Sequence, residues 1–560
     1  MRAFSFSGLA VLAVLALTPG VVVAAPRDEA ACAKLRGFVL ASGGIGLPSG
    51  GAKVSSSNFV AATPQKTEPG PGGRPRTVLA RPDRCEVKGE IAPIDPAAPV
   101  IEFQVNLPVA WNGKTVQMGG GGFNGNLQTG LGALPRSPDT LAYPLSRGFV
   151  TYGSDGGHQG EGAAFGLNAE ALTNFIDQQT KKTHDVAMAL VRARYGRAPQ
   201  YRYFVGQSEG GREGLMSAQQ HPDDYDGIVA TAPAIHYVDS MFRLNDVGTA
   251  ISRPGGHLNL AEIKTFADAV LAQCDMNDGV ADRIIGNYLG CHFDPSVLRC
   301  PRGQDTADTC LSDVQLDAIA TMYHETVHRD AKGEVVARYP RYLLGGGEEL
   351  QGALLQWTIG RAPMPRYPPS GEALKPQELG VSTAAFYGNS MIRYFITRNP
   401  AFDSYDFDVR PYAEPARAIV ARLSNDNPNL SAFKNHGGKL ILLHNTSDAA
   451  LSAVSTMNYF DAVTATLGKE ATLAFARLYV VPGGDHGGNG TASKVDLLGM
   501  LDGWVANGKA PNDEWIAEED GPDMKPIRTK PLCSYPYYPH YRGAGDPKAA
   551  TSYGCVVARP

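Results

Sequence analysis

The chain has 560 residues, 43% hydrophobic and 19% charged, with 64 Gly, 40 Pro and a formal net charge of −5. That length exceeds what one hydrophobic core usually fills, so a main domain with a large second one is expected. The small net charge and the lack of long single-sign runs argue against nucleic acid or a membrane surface as the main partner, and the ordinary composition argues against disorder.

In chain order, residues 1–25 come first, with Arg2, an apolar core at 8–17 and small residues Ala24 and Ala25. This pattern reads as a signal peptide too short to anchor, so a secreted or periplasmic protein is expected, in a compartment where disulfides persist. The cysteines are Cys32, Cys85, Cys274, Cys291, Cys300, Cys310, Cys533 and Cys555. Eight thiols permit about 105 connectivities. Pairing over short loops would give 274–291, 300–310 and 533–555, leaving 32–85. No CxxC or Cys/His cluster points to zinc or redox work.

Residues 25–99 are rich in Pro, Gly and Ser. Residues 100–107 (VIEFQVNL) alternate as an edge strand would, and 115–118 (TVQM) is a second strand running into GGGGFNG at 119–125. Glycines after a strand can leave backbone N–H groups facing a site, as an oxyanion hole requires. A phosphate loop is the competing reading, but no Gly-Lys-Ser/Thr follows. Residues 149–152 read as a strand, 174–195 as a helix, 201–205 as a buried strand and 227–230 as the next. Such alternation implies a mostly parallel sheet covered on both faces, an α/β class. From about residue 235 to 438 the alternation stops, as in an inserted domain. It resumes with strands at 439–444 and 477–481 and a helix around 494–507.

Between strand and helix, Gly206-Gln207-Ser208-Glu209-Gly210 forms G-x-S-x-G, the context that forces a serine onto a sharp turn with its hydroxyl exposed. The bland alternative is a Gly-rich turn carrying a solvated serine. A serine nucleophile needs a histidine base and a group to orient it. Among 12 histidines, His158, His184, His221 and His292 sit beside turns or charged helix surfaces, whereas His486 lies in PGGDHGG directly after a buried strand. Asp448, in HNTSD, also lies just past a strand end. Ser208, Asp448 and His486 therefore occupy one sheet edge, in the order Ser…Asp…His of α/β-hydrolases. Asp485 is the rival acid, but adjacent residues rarely point at each other. The N–H of Glu209 and that of Gly121 or Gly122 are the expected oxyanion donors.

Residues 274–284, CDMNDGVADRI, place Asp275, Asp278 and Asp282 at spacings of three and four around a glycine turn. Such a set suits a hard cation with backbone carbonyls completing its shell, or else an Asx-rich turn. His324-Glu325-Thr326-Val327-His328 matches H-E-x-x-H, with Glu348 a candidate third zinc ligand. This metalloprotease reading conflicts with Arg329–Gly333 and with the Gly345–Gly347 run, which interrupt any ligand-bearing helix. A non-catalytic binding module is the other alternative.

Together GGGGFNG, GQSEGGREG (206–214), CDMNDGVAD (274–282), HNTSDAALS and PGGDHGG resemble the tannase/feruloyl esterase family, which includes hydrolases of mono(2-hydroxyethyl) terephthalate. The likeness runs from roughly residue 30 to the C-terminus. It implies an α/β-hydrolase catalytic domain at 26–234 and 439–560, with a lid at 235–438. It also implies structural calcium (Ca2+) on Asp275, Asp278 and Asp282 with the carbonyls of Val280 and Ile284, and it fits the eight cysteines to the family's four remaining bridges. The family usually has Cys immediately before the nucleophile and immediately after the base, bonded to each other; here these positions hold Gln207 and Gly487. Ser–His geometry is then left to packing and hydrogen bonds, and activity is expected to survive. The resemblance implies a serine esterase acting on small-molecule aromatic esters. Trp357, Phe386, Tyr387, Arg393 and Phe395 are candidates to hold the aryl ring or a carboxylate, or equally to form lid core.

Overall fold

The computed structural model describes residues 26–69, 75–362, 380–512 and 514–560; the signal peptide expected at 1–25 lies outside them. Ten strands form one sheet: β1 (Val39–Leu40), β2 (Ala52–Val60), β3 (Arg84–Ile91), β4 (Ile101–Pro108), β5 (Lys114–Met118), β6 (Val150–Ser154), β7 (Tyr201–Gln207), β8 (Gly227–Thr231), β9 (Lys439–Asn445) and β10 (Ala476–Val481). Their spatial order is β1-β2-β3-β4-β6-β5-β7-β8-β9-β10. The pairs from β6 through β10 are parallel, and β1 through β4 extend the sheet antiparallel as far as β6.

The central strands are apolar at nearly every position because both faces are covered. Tyr203, Val205, Val229, Ile441 and Leu443 pack on Leu498, Leu501 and Trp504 of the helix Leu497–Asn507. The intervening Phe204, Ile228, Leu440 and Leu442 pack on Leu215, Met457 and Phe460 from the opposite layer. This mixed, mostly parallel sheet with helices on both faces is an α/β-hydrolase fold.

One expectation is corrected. Residues 101–108 are no edge strand, since β4 lies between β3 and β6 and is buried along most of its length. The Pro-, Gly- and Ser-rich segment before it supplies β1, β2 and β3. β2, AKVSSSNFV, fully buries only Ala52, Val54 and Ser57 and so carries little apolar signal.

The chain between β8 and β9 forms the insertion. It contains the helices Tyr237–Ser252, Leu260–Cys274, Asp313–Tyr323, Thr383–Met391 and Ala413–Leu423. Its Met391, Ile392 and Phe395 share one core with Phe123 and Phe175 from the sheet side, which seats the lid over the strand ends. Disulfides join Cys32–Cys85, Cys274–Cys291, Cys300–Cys310 and Cys533–Cys555. Among the described residues no helix is long and apolar enough to cross a membrane.

Candidate active site

Ser208 follows β7 directly and holds φ 60°, ψ −120°, a conformation that costs a non-glycine residue free energy and persists only when its surroundings enforce it. Its N–H donates to the Thr231 carbonyl at 3.0 Å and its own carbonyl accepts from Ala234 N–H at 3.1 Å. The flanking glycines make room for the turn. A Cβ at Gly206 would stand 2.2 Å from the Gly210 carbonyl oxygen, and one at Gly210 would stand 2.7 Å from that of Gly120. The side chain of Ser208 caps no N–H of the helix Glu209–Gln220 that it precedes.

Asp448 lies just beyond β9 and His486 just beyond β10, so all three positions stand at carboxyl ends of parallel strands. Nδ1 of His486 is 2.7 Å from Oδ2 of Asp448. A proton on Nδ1 is donated to the carboxylate, which leaves the Nε2 lone pair free. Asp448 is held in turn: Oδ1 accepts from the N–H groups of Ala450 and Leu451, both at 2.9 Å, and His444 Nε2 stands 3.3 Å from Oδ2. Burial alone would push this carboxyl up, but His486 and His444 outweigh it and hold Asp448 well below the ordinary carboxylate range. Asp485 is spent on its own loop, accepting from Asn489 N–H at 2.9 Å.

Ser208 and His486 share a cavity of about 470 Å³ with Gly119–Gly122, Leu134, Trp357 and Tyr387. The Trp357 ring meets the His486 imidazole edge-on at 5.0 Å and stacks on Tyr387 at 5.8 Å. Of the five lid candidates only these two reach the cavity. Phe386 and Phe395 are buried in lid core, and Arg393 donates to Asn389 Oδ1 and to the Pro400 carbonyl.

The glycine loop is fixed by Glu213, four residues beyond Glu209. Its carboxylate accepts from Gly120 N–H at 2.9 Å, Asn124 Nδ2 at 2.8 Å and Gln179 Nε2 at 2.7 Å. Asn124 Oδ1 then accepts from Gly121 N–H at 2.9 Å. Of the two glycines expected to offer an oxyanion donor, Gly121 thus already has an acceptor for its N–H. Gly122 has φ 62° and its carbonyl accepts from the Tyr237 hydroxyl at 2.8 Å. Glu209 opens the helix Glu209–Gln220 directly after Ser208.

In the aspartate loop, Asp278 Oδ1 accepts from Val280 N–H, Asp282 Oδ1 accepts from Ile284 N–H, and Asp282 Oδ2 pairs with Lys530 Nζ at 2.8 Å. Among the described residues only His184, Asp185 and Asp224 bring three ligand atoms within 4.8 Å of one another, and there Lys181 already pairs with both acids. The donor chemistry of the aspartate loop nonetheless fits a hard cation. Asp275 Oδ1 is buried without a hydrogen-bond partner, and burial together with Asp282 pushes Asp278 up to about 7.

The H-E-x-x-H segment is not helical across its histidines. The helix ends at Tyr323, and Thr326–Arg329 is a strand. Glu325 pairs with Arg338, His328 faces Asp246, and Glu348 is buried on the N–H groups of Gly345 and Gly346. The geometry of a zinc protease is missing from these residues.

Two residues outside the expected triad and oxyanion donors also reach His486. Gln207 Nε2 and Arg136 Nη2 both donate to the His486 carbonyl, at 2.7 and 2.9 Å.

The family model described as tannase and feruloyl esterase matches residues 85–556. The chain is 32% identical to mono(2-hydroxyethyl) terephthalate hydrolase of Piscinibacter sakaiensis over 86% of each chain. It is 31% identical to an uncharacterized esterase of Agrobacterium fabrum, covering 95% of this chain and 94% of that one. Feruloyl esterase B from Aspergillus oryzae superposes with a TM-score of 0.75 at 23% identity, covering 94% of this chain and 100% of that one.

Proposed function

The chain belongs to the tannase and feruloyl esterase family and is a carboxylic ester hydrolase; from that premise we propose that it cleaves esters of aromatic acids, feruloyl or galloyl esters foremost, through Ser208, His486 and Asp448. Oγ of Ser208 attacks the ester carbonyl while Nε2 of His486 takes its proton, and Asp448 stabilises the imidazolium that forms. The oxyanion that develops is met by the N–H groups of Glu209 and Gly122. Collapse expels the alcohol with the proton from His486. Water, activated by the same imidazole, then releases the acid and restores Ser208. The observation carrying this reading is the strained Ser208 sharing one cavity with an imidazole whose other nitrogen is held by a buried carboxylate.

The paired rings of Trp357 and Tyr387 support an aromatic acyl group, since they offer a flat apolar wall beside the nucleophile. Terephthalate monoesters are a narrower reading, supported by the relative from Piscinibacter. Labelling with an aryl fluorophosphonate followed by peptide mapping tests the nucleophile: modification at Ser208 is expected, and modification elsewhere overturns the assignment. Comparing kcat/KM for methyl ferulate, methyl gallate and mono(2-hydroxyethyl) terephthalate ranks the substrates.

Two further assignments belong to this reading. Four disulfides and the apolar N-terminal segment support export with cleavage after residue 25, which N-terminal sequencing of the secreted protein checks. The orphaned oxygen of Asp275 supports structural calcium on Asp275, Asp278 and Asp282 with the carbonyls of Val280 and Ile284. Calcium should then raise the thermal midpoint of the wild type by mass action but leave that of Asp275→Ala unmoved.

A further inference from the structure

The loop that carries His486 is rich in glycine and is braced from within mainly by Asp485 and Asn489. Gly483, Gly484, Gly488 and Gly490 all take positive φ, and residues 482–491 form neither helix nor strand. Glycine backbone is the costliest to order, so a base mounted on it needs an external restraint. Part of that restraint is bonding to Thr446, just past β9, whose Oγ1 accepts from Gly483 N–H at 2.8 Å; a further part meets at the His486 carbonyl oxygen, which accepts from Gln207 Nε2 at 2.7 Å and from Arg136 Nη2 at 2.9 Å.

We propose that Gln207 and Arg136 form a positioning clamp that sets the distance and direction between His486 and Ser208, a role resting on the reading of those two residues as base and nucleophile. Gln207 is the last residue of β7 and is bonded directly to Ser208. The strand end that fixes Oγ therefore also grips the main chain of the base, and the path between them is one peptide unit, one side chain and one hydrogen bond.

Arg136 supports the loop at three points. Besides the His486 carbonyl, its guanidinium lies on Gly488, where an added Cβ would come within 1.6 Å of Nη1. Its own carbonyl accepts from Val495 N–H at 2.7 Å, just beyond the loop. Arg136 is 4% exposed, and its Nε and Nη1 have no hydrogen-bond partner. It is thus an unsaturated buried cation, whose charge is met by Asp448 and Asp485. Among the described residues, those two carboxylates, His444 behind Asp448 and Arg136 itself are charged or titratable groups around the imidazole, and the Tyr387 phenol lines the same cavity; the face toward the lid is the uncharged Trp357 ring.

The competing explanation is that both donors merely satisfy a buried carbonyl. It predicts lower stability with unaltered turnover. The test compares Gln207→Leu, Arg136→Lys and Arg136→Met with wild type for thermal midpoint, kcat and KM on methyl ferulate, and phosphonate labelling rate at Ser208. If the clamp sets geometry, Gln207→Leu lowers kcat and the labelling rate together, by about 10²-fold for a displacement near 1 Å, with KM unchanged. Arg136→Met adds a second signature: removing a cation beside the imidazolium moves the acid limb of the kcat/KM profile to higher pH. Arg136→Lys retains the charge and leaves that limb in place.

Folded variants with wild-type kcat and labelling rate, whatever their thermal midpoint, overturn the clamp. Gln207 is only partly buried, so its variant is expected to fold even if Arg136→Met does not. Wild-type protein that labels at a residue other than Ser208 overturns the triad instead, which keeps the two failures apart.

Discussion

Asp448 and His486 meet at 2.7 Å, whereas Asp485, adjacent to His486 in the chain, turns back to Asn489. Adjacent side chains on an extended loop diverge, and the structure separates the two acids by task. Asp448→Asn should therefore leave the fold intact and lower kcat by about 10⁴, through loss of the imidazole's tautomer and of the counter-charge. Asp485→Asn still offers an acceptor to the loop and should cost far less. Steady-state assays of the two variants on one ester decide the matter; equal losses would transfer the role to the loop itself.

Gly121 and Gly122 are neighbours with opposite requirements. A Cβ at Gly121 meets nothing within 4 Å, and its N–H is already bonded to Asn124. A Cβ at Gly122 meets the Tyr387 hydroxyl at 2.3 Å, on a backbone at φ 62° that L-residues resist. Gly121→Ala should thus remain active, while Gly122→Ala should lose about 10²–10³ in kcat, the scale of one misplaced oxyanion donor. The reverse order of activities would move the donor back to Gly121.

Trp357 reaches both the base and Tyr387, so its removal should be felt according to acyl chemistry. Ring stacking contributes about 0.5–1.5 kcal/mol beyond area burial. Trp357→Ala should then raise KM for methyl ferulate by about 2- to 12-fold. A short aliphatic ester, with no ring to stack, should show little change. Parallel losses on both esters would assign Trp357 to supporting His486 rather than to holding the substrate.

Strand ends were the most legible part of this chain. The apolar runs before Ser208, Asp448 and His486 are local signals, and the sheet's parallel order then brings their carboxyl ends to one rim. What escaped detection depends on contacts distant in sequence. Arg136 reaches the His486 carbonyl across 350 positions from a segment with no periodicity. The choice between Gly121 and Gly122 turns on which way the Asn124 amide points, which no spacing encodes. Strands β1 to β3 were hidden by polar residues on their exposed faces. The lid candidates divided by depth rather than by type: Phe395 and Tyr387 are both aromatic, but only Tyr387 lies at the cavity wall.

His158, too, was read as lying beside a turn, yet it is buried, stacked on Phe165 at 3.8 Å with Nε2 2.6 Å from the Phe123 carbonyl. Burial pulls its pKa down to about 4, against the opposing pull of the Phe123 carbonyl. In the unfolded chain a histidine titrates near 6.5, so between about pH 6.5 and 4 the unfolded state binds the proton and the folded state does not. Stability from this group is therefore complete above pH 6.5 and is lost as the pH falls toward 4, by about 3 kcal/mol in all. His158→Gln retains a donor for the carbonyl but has no proton to bind. The stability difference between wild type and variant, measured by chemical denaturation at pH 7 and pH 4.5, should swing toward the variant at the lower pH. A difference that stays constant across that range would mean that the imidazole is not held neutral in the folded protein.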